Sequence, residues 1–228
     1  MNVCFTGLNE PIIVGPDAVS VLEVQNRVLF CRLCSSLVSE RGSEAEEPYT
    51  FWSDDGEEIK PEGRILFVLS PLSLPWTDKA LSNGLSAKLE RLVNEDEDAR
   101  QGVEYAFACL KSRLSEVALS LESEYAFEID WELKRYLRTY GFGVELIENE
   151  PLLDKLIKFL ALAKDVSLSK VLLFVNLKLF LSENELRKFY EQAFFSGLSV
   201  LLIENVRDGV YYEQERKYVI DQDLLESW

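Results

Sequence analysis

Residues 170–205 read KVLLFVNLKLFLSENELRKFYEQAFFSGLSVLLIEN, and this stretch decides the fold class. Its first seven residues, KVLLFVN, are the most apolar strand candidate in the chain. A run so uniformly apolar, and too short for a helix, suits a strand covered on both faces. Ser182 and Glu185 then make an S-x-x-E capping box. Leu186, Phe189, Tyr190, Ala193 and Phe194 recur at helical spacing, and Gly197 stands where a helix would stop. Residues 200–204 (VLLIE) supply a second buried strand. Two buried strands joined by one helix imply a parallel pair with a right-handed crossover, and so an α/β fold with a mostly parallel sheet.

Working outward, residues 3–5 and 11–14 read as two short strands around a turn containing Gly7 and Asn9. Residues 19–24 (VSVLEV) form a buried strand, and 27–38 repeat apolar residues at helical spacing. The segment 39–63 is polar and acidic, relieved by Tyr49, Phe51 and Trp52, and predicts a loop with at most one edge strand. Strand character returns at 64–69 (RILFVL), 143–147 (GVELI) and 218–220. Asn149 ahead of Pro151 predicts an N-cap with proline at the first helical position, opening a helix to about Lys164. From about 72 to 140 the chain turns helical: Val103, Ala106, Phe107, Leu110, Leu114, Val117, Ala118 and Leu121 mark one face of a single long helix. Asp130 would cap a further helix ending before Gly141. The expected division is an α/β head, 1–71 with 141–228, and a helical leg, 72–140.

Composition excludes much. Among 228 residues there is no histidine, which removes imidazole-based hydrolases and most zinc chemistry. The 4 cysteines are few for this length and fit a reducing compartment. No apolar run is long enough to span a membrane, and the first residues lack a signal-peptide pattern, so a cytoplasmic protein is expected. With 40 acidic against 24 basic residues the formal charge is −16, so any basic surface for nucleic acid must be local.

The strand VLLFVN ends in Asn176 and is similar to the second strand motif of P-loop nucleotidases, where an aspartate at that end positions magnesium. Its companion phosphate loop should follow VSVLEV, yet 23–29 read EVQNRVL, without glycine or a Lys-Ser or Lys-Thr pair. No working phosphate loop is expected. Cys31 and Cys34 form a C-x-x-C pair inside a helical pattern and read as two small buried residues. The acids Glu122, Glu124, Glu128, Asp130 and Glu132 read either as a solvated face or as an oxygen-rich calcium site. Lys79, Lys88, Arg91, Arg100, Lys111 and Arg113 are interleaved with acids, which is ordinarily solubilising charge; Arg100 and Lys111 share a helix face, and Lys88 and Arg91 are spaced i, i+3.

Together these pieces resemble the Csn-two family of type II-A CRISPR adaptation proteins. The likeness rests on residues 170–205, on the opening NVCFTGLNEPIIV with its L-x-E-P turn, and on the closing YVIDQDLLES. The resemblance implies a P-loop-NTPase-like head without a working nucleotide site, plus a helical leg. It implies a non-enzymatic, cytoplasmic homotetrameric ring in antiviral defence that takes calcium and holds linear double-stranded DNA by its ends during spacer acquisition. Integrase and effector nuclease proteins would be partners. The family's acidic pattern E-x-E-x-D-x-E-x-D maps calcium ligation onto Glu122, Glu124, Glu128 and Asp130, with Ala126 in place of the middle aspartate. Lys88, Arg91, Arg100 and Lys111 are the basic residues assigned to DNA. A degenerate nucleotide-binding protein and an interaction scaffold without DNA contact remain the alternative readings.

Overall fold

A computed structural model describes residues 1–127 and 132–227, and the chain divides into two compact units, Met1–Trp76 with Glu145–Trp228, and Thr77–Val144. The fold class is α/β, as expected. In the first unit, β1 (Asn2–Phe5), β2 (Ile12–Ile13), β4 (Tyr49–Trp52) and β5 (Glu58–Ile59) form an antiparallel sheet in the order β2-β1-β4-β5. The main sheet contains β3 (Val19–Val24), β6 (Ile65–Val68), β7 (Val171–Val175), β8 (Val200–Glu204), β9 (Glu215–Ile220) and β10 (Glu226–Ser227) in the order β10-β9-β3-β8-β7-β6. Every pair in it is parallel except β9 with β10.

Alternation along the strands divides the core in two. Leu22, Val24, Leu173, Leu201 and Ile203 face α1 (Arg27–Ser39) and the small sheet, where they meet Leu33, Leu37, Val3, Phe5 and Phe51. The opposite face is covered by two helices, Leu152–Asp165 and Glu183–Ser196. There Phe174 packs edge-on against Phe159 and Phe189, at 6.4 and 5.5 Å between ring centres. The β7–helix–β8 unit is the parallel pair that 170–205 predicts: Phe174 stands opposite Leu202.

The second unit is helical, with α2 (Lys79–Glu95), α3 (Glu97–Ala118) and α4 (Leu133–Thr139). Asp96 breaks α2 from α3: its backbone is extended, and its carboxylate accepts a hydrogen bond from Ala99 N at 3.0 Å as the cap of α3. None of the 22 residues of α3 is buried. Back in the first unit, α5 (Leu152–Asp165) and α6 (Glu183–Ser196) complete the helices. The α6 capping box forms as read, with Glu185 accepting from Ser182 N at 2.9 Å, and Gly197 closes the helix at φ 65°.

Four local expectations fail. β4 is no edge strand, because it lies between β1 and β5 and buries Tyr49 and Phe51. Residues 143–147 form no strand, and Leu146 and Ile147 are exposed. Asn149 does not cap α5: it takes φ 63°, and Pro151 occupies the cap position. α3 ends at Ala118, so Leu121 lies beyond it.

Candidate functional site

The strongest concentration of buried charge lies at the β3–β8–β9 side of the main sheet, under α6. The parallel register sets Glu23, next to last in β3, beside Glu204 at the end of β8. Alternation on β9 brings Glu215 and Lys217 to the same face, since Lys217 stands opposite Val21. A short 3-10 turn, Leu177–Phe180, follows β7 and carries Lys178 into the group. Lys178 Nζ donates to Glu215 at 2.8 Å, to Glu23 at 3.2 Å and to Asp208 at 3.3 Å. Lys217 Nζ lies 3.3 Å from Glu23. The Lys178 side chain is 8 % exposed, and those of Glu23 and Glu215 are 0 % and 2 % exposed.

Burial dominates the acid–base behaviour here. It pushes Glu204 up to about 8, against the pull of the Lys178 amide and ammonium and with the help of the Glu23 carboxylate. Burial also raises Glu215, opposed by Lys178 and Lys217. At Lys178 burial disfavours the ammonium, but attraction to Glu215 and Glu23 outweighs it and the pKa rises. Asp208 is partly buried, yet the Val210 amide and Lys178 hold it below its ordinary value. A cavity of about 260 Å³ opens beside the group, lined by Lys178, Leu181, Leu186, Glu204, Asp208 and Tyr212 among others.

The neighbouring strand ends are closed by internal hydrogen bonds. Asn26 caps α1 by accepting from Val28 N and Leu29 N at 3.1 and 3.0 Å, and its amide donates to Gln222 O. Asn176, at φ 54°, accepts from Asn205 N at 2.9 Å and so ties the end of β7 to the end of β8. Cys34 lies half-buried in α1, and burial together with Cys31 lifts its thiol to about 11, which makes it a poor nucleophile, whereas Cys31 is exposed and not the buried residue expected.

The residues assigned to DNA and calcium lie in the helical unit. Lys88 and Arg91 are on α2, Arg100 and Lys111 on α3. Arg91 pairs with Glu95 at 3.5 Å and Arg100 with Glu97 at 2.6 Å, while Lys111 sits 6.0 Å from the Phe127 ring centre. Glu122 and Glu124 follow α3 in exposed, non-helical backbone. Glu128 and Asp130 lie outside the described residues. Carboxylate oxygen is the donor that calcium takes, but among the described residues no three acidic or cysteine side chains are arranged to hold a metal ion. No described helix is long and apolar enough to cross a membrane. The reading of the sequence passed over α4, where Lys134, Arg135 and Arg138 fall within seven residues. It also missed the Lys178 cluster, whose sequence signal was a glutamate near the end of each apolar strand, VSVLEV and VLLIE.

Comparison with known proteins gives the family. The model of the family described as CRISPR-associated protein (Cas_Csn2) matches residues 43–224. No curated protein matches the chain. Among solved structures 17 chains match. One is the crystal structure of Stu0660 of Streptococcus thermophilus, with TM-score 0.57 and 19 % identity, covering 89 % of this chain and 68 % of that one. At that identity the likeness concerns the fold alone.

Proposed function

The chain belongs to the Cas_Csn2 family of CRISPR-associated proteins, which implies a part in type II-A CRISPR adaptation, and we propose that it is a non-catalytic ring protein that holds linear double-stranded DNA by its ends during spacer acquisition. The observation that carries this reading is the family match over residues 43–224. Its head would be the P-loop-like α/β body without a nucleotide site. The amides opening α1 are already bonded to Asn26, which supports that reading. Self-association into a homotetramer would cover the apolar stripe of α3, where Leu110, Leu114 and Val117 are exposed. Glu122, Glu124, Glu128 and Asp130 would hold calcium, a charge that offsets the acidic balance of −16 near phosphates. Lys88, Arg91, Arg100 and Lys111 would contact the DNA backbone without reading bases. The CRISPR integrase and effector nuclease would be its protein partners, and the cytoplasm its compartment.

A mobility-shift series tests this reading on linear and closed circular duplex of one sequence, with calcium and with chelator. The linear form should bind with calcium, while the circle should not, because threading needs a free end. Equal binding to both forms, or binding that ignores chelator, overturns it.

A further inference from the structure

The buried charge cluster is unused by that reading, and its parts do not balance. Four carboxylates, Glu23, Glu204, Asp208 and Glu215, meet two ammonium groups, Lys178 and Lys217. Glu23 Oε2, Glu215 Oε2 and the Tyr190 hydroxyl are buried and have no hydrogen-bond partner. An ionised oxygen without a donor is costly in such a place, and a bound proton removes the charge that makes it so.

One wall of the cluster lacks regular structure. Strands β3, β8 and β9 lie on one side and α6 on the other, but residues 206–214 between β8 and β9 form neither helix nor strand. This segment is tied down by the cluster's own lysines. Lys178 Nζ reaches Asp208 Oδ2 at 3.3 Å, and Lys217 Nζ donates to Asp208 O and Val210 O at 2.8 and 3.0 Å. The same ammonium groups therefore neutralise Glu23 and Glu215 and hold the segment.

We infer that this cluster is a proton-binding site that latches residues 206–214, closed while protonated and opened to water when the proton leaves. The groups that face it are Glu23 on β3, Lys178 after β7, Glu204 on β8, and Glu215 and Lys217 on β9. Glu183, Arg187 and Tyr190 face it from α6, and Arg207, Asp208 and Tyr212 from the segment itself. Glu204 has no full ion pair of its own, because its Oε1 accepts from the Lys178 amide rather than from an ammonium. Its pKa near 8 sets the upper end of the window. Opening returns Glu204 to water and to the ordinary carboxylate range, so the open form binds fewer protons, and opening grows as pH rises until Glu204 ionises in the closed form.

Hydrogen–deuterium exchange of the whole chain at pH 6, 7 and 8, corrected for intrinsic chemical rates, tests the latch. The opening equilibrium, read at the Val210 amide that donates to Asp208 Oδ1, should rise about tenfold from pH 6 to 7 and about fivefold from pH 7 to 8, where Glu204 begins to ionise in the closed form, while the β7 amides stay protected. Glu204→Gln should flatten the rise. Glu215→Gln should flatten it only in part, and it serves as the second variant if Glu204→Gln fails to fold. A flat wild-type profile, an equal rise in β7, or the wild-type slope retained in Glu204→Gln overturns the proposal.

Discussion

Lys178 joins β3, β9 and the segment before β9 through Glu23, Glu215 and Asp208. Lys178→Met would leave Glu23 and Glu215 to Lys217 alone, at 3.3 and 3.6 Å, and breaking a buried ion pair from one side costs up to about 3–5 kcal/mol. Denaturant unfolding should show that loss, and adding Glu215→Gln should recover part of it, because the two residues are coupled. A loss under about 1 kcal/mol would refute this role. The pH dependence follows from the raised lysine pKa. Stabilisation by the pairing is complete below the ordinary lysine pKa and disappears only as pH climbs through the raised one, so it should persist across neutral pH. Glu204 acts the opposite way in the neutral range: its raised pKa makes the fold lose stability as pH rises from the ordinary carboxylate range to about 8. At this scale the sequence was half legible. The glutamates stand out at the ends of apolar strands, but Lys178 meets partners 155, 37 and 30 residues away, which no local pattern reveals.

Among the described helices, α3 is the one with no buried residue, with Leu110 51 % and Val117 68 % exposed. If that stripe is an interface between copies, Leu110→Glu with Leu114→Glu should lower the mass seen by light scattering without reducing helix content by circular dichroism. An unchanged mass would detach the stripe from assembly. The β3–α1 turn makes a second prediction. Its amides are spent on Asn26, so calorimetric titration with magnesium ATP should give no binding heat, and a measurable Kd would favour the nucleotide-binding alternative. Elements with strong periodicity, such as β3, β7, α6 and β8, were readable because one-dimensional pattern and tertiary burial agree in them. β4 was not, because YTFW sits within an acidic segment and gains its place by pairing with β1, 44 or more residues earlier. Residues 143–147 failed the other way: GVELI has strand composition but finds no partner strand.

For the whole molecule, the proposed function has to reconcile a charge of −16 with a polyanionic ligand. Two terms are proposed, calcium on the acidic run and cations on the leg helices, and salt dependence separates them. Each phosphate neutralised by lysine or arginine releases counterions and adds about 0.9 to the slope of log K against log salt on duplex DNA. Lys88→Glu with Arg91→Glu should reduce that slope at saturating calcium, by about 2 for each protomer that touches the duplex. The loss should be equal on unrelated sequences, because phosphate contacts carry no base information. Neutralising Glu124 and Asp130 together should leave that slope almost intact and instead raise the calcium concentration needed for half-maximal binding. Fluorescence anisotropy across a salt series, with calcium titrated at each salt, measures both quantities on one sample. If the double charge reversal leaves the slope unchanged, Lys88 and Arg91 are no part of the DNA path. α4, with Lys134, Arg135 and Arg138, then becomes the next surface to reverse.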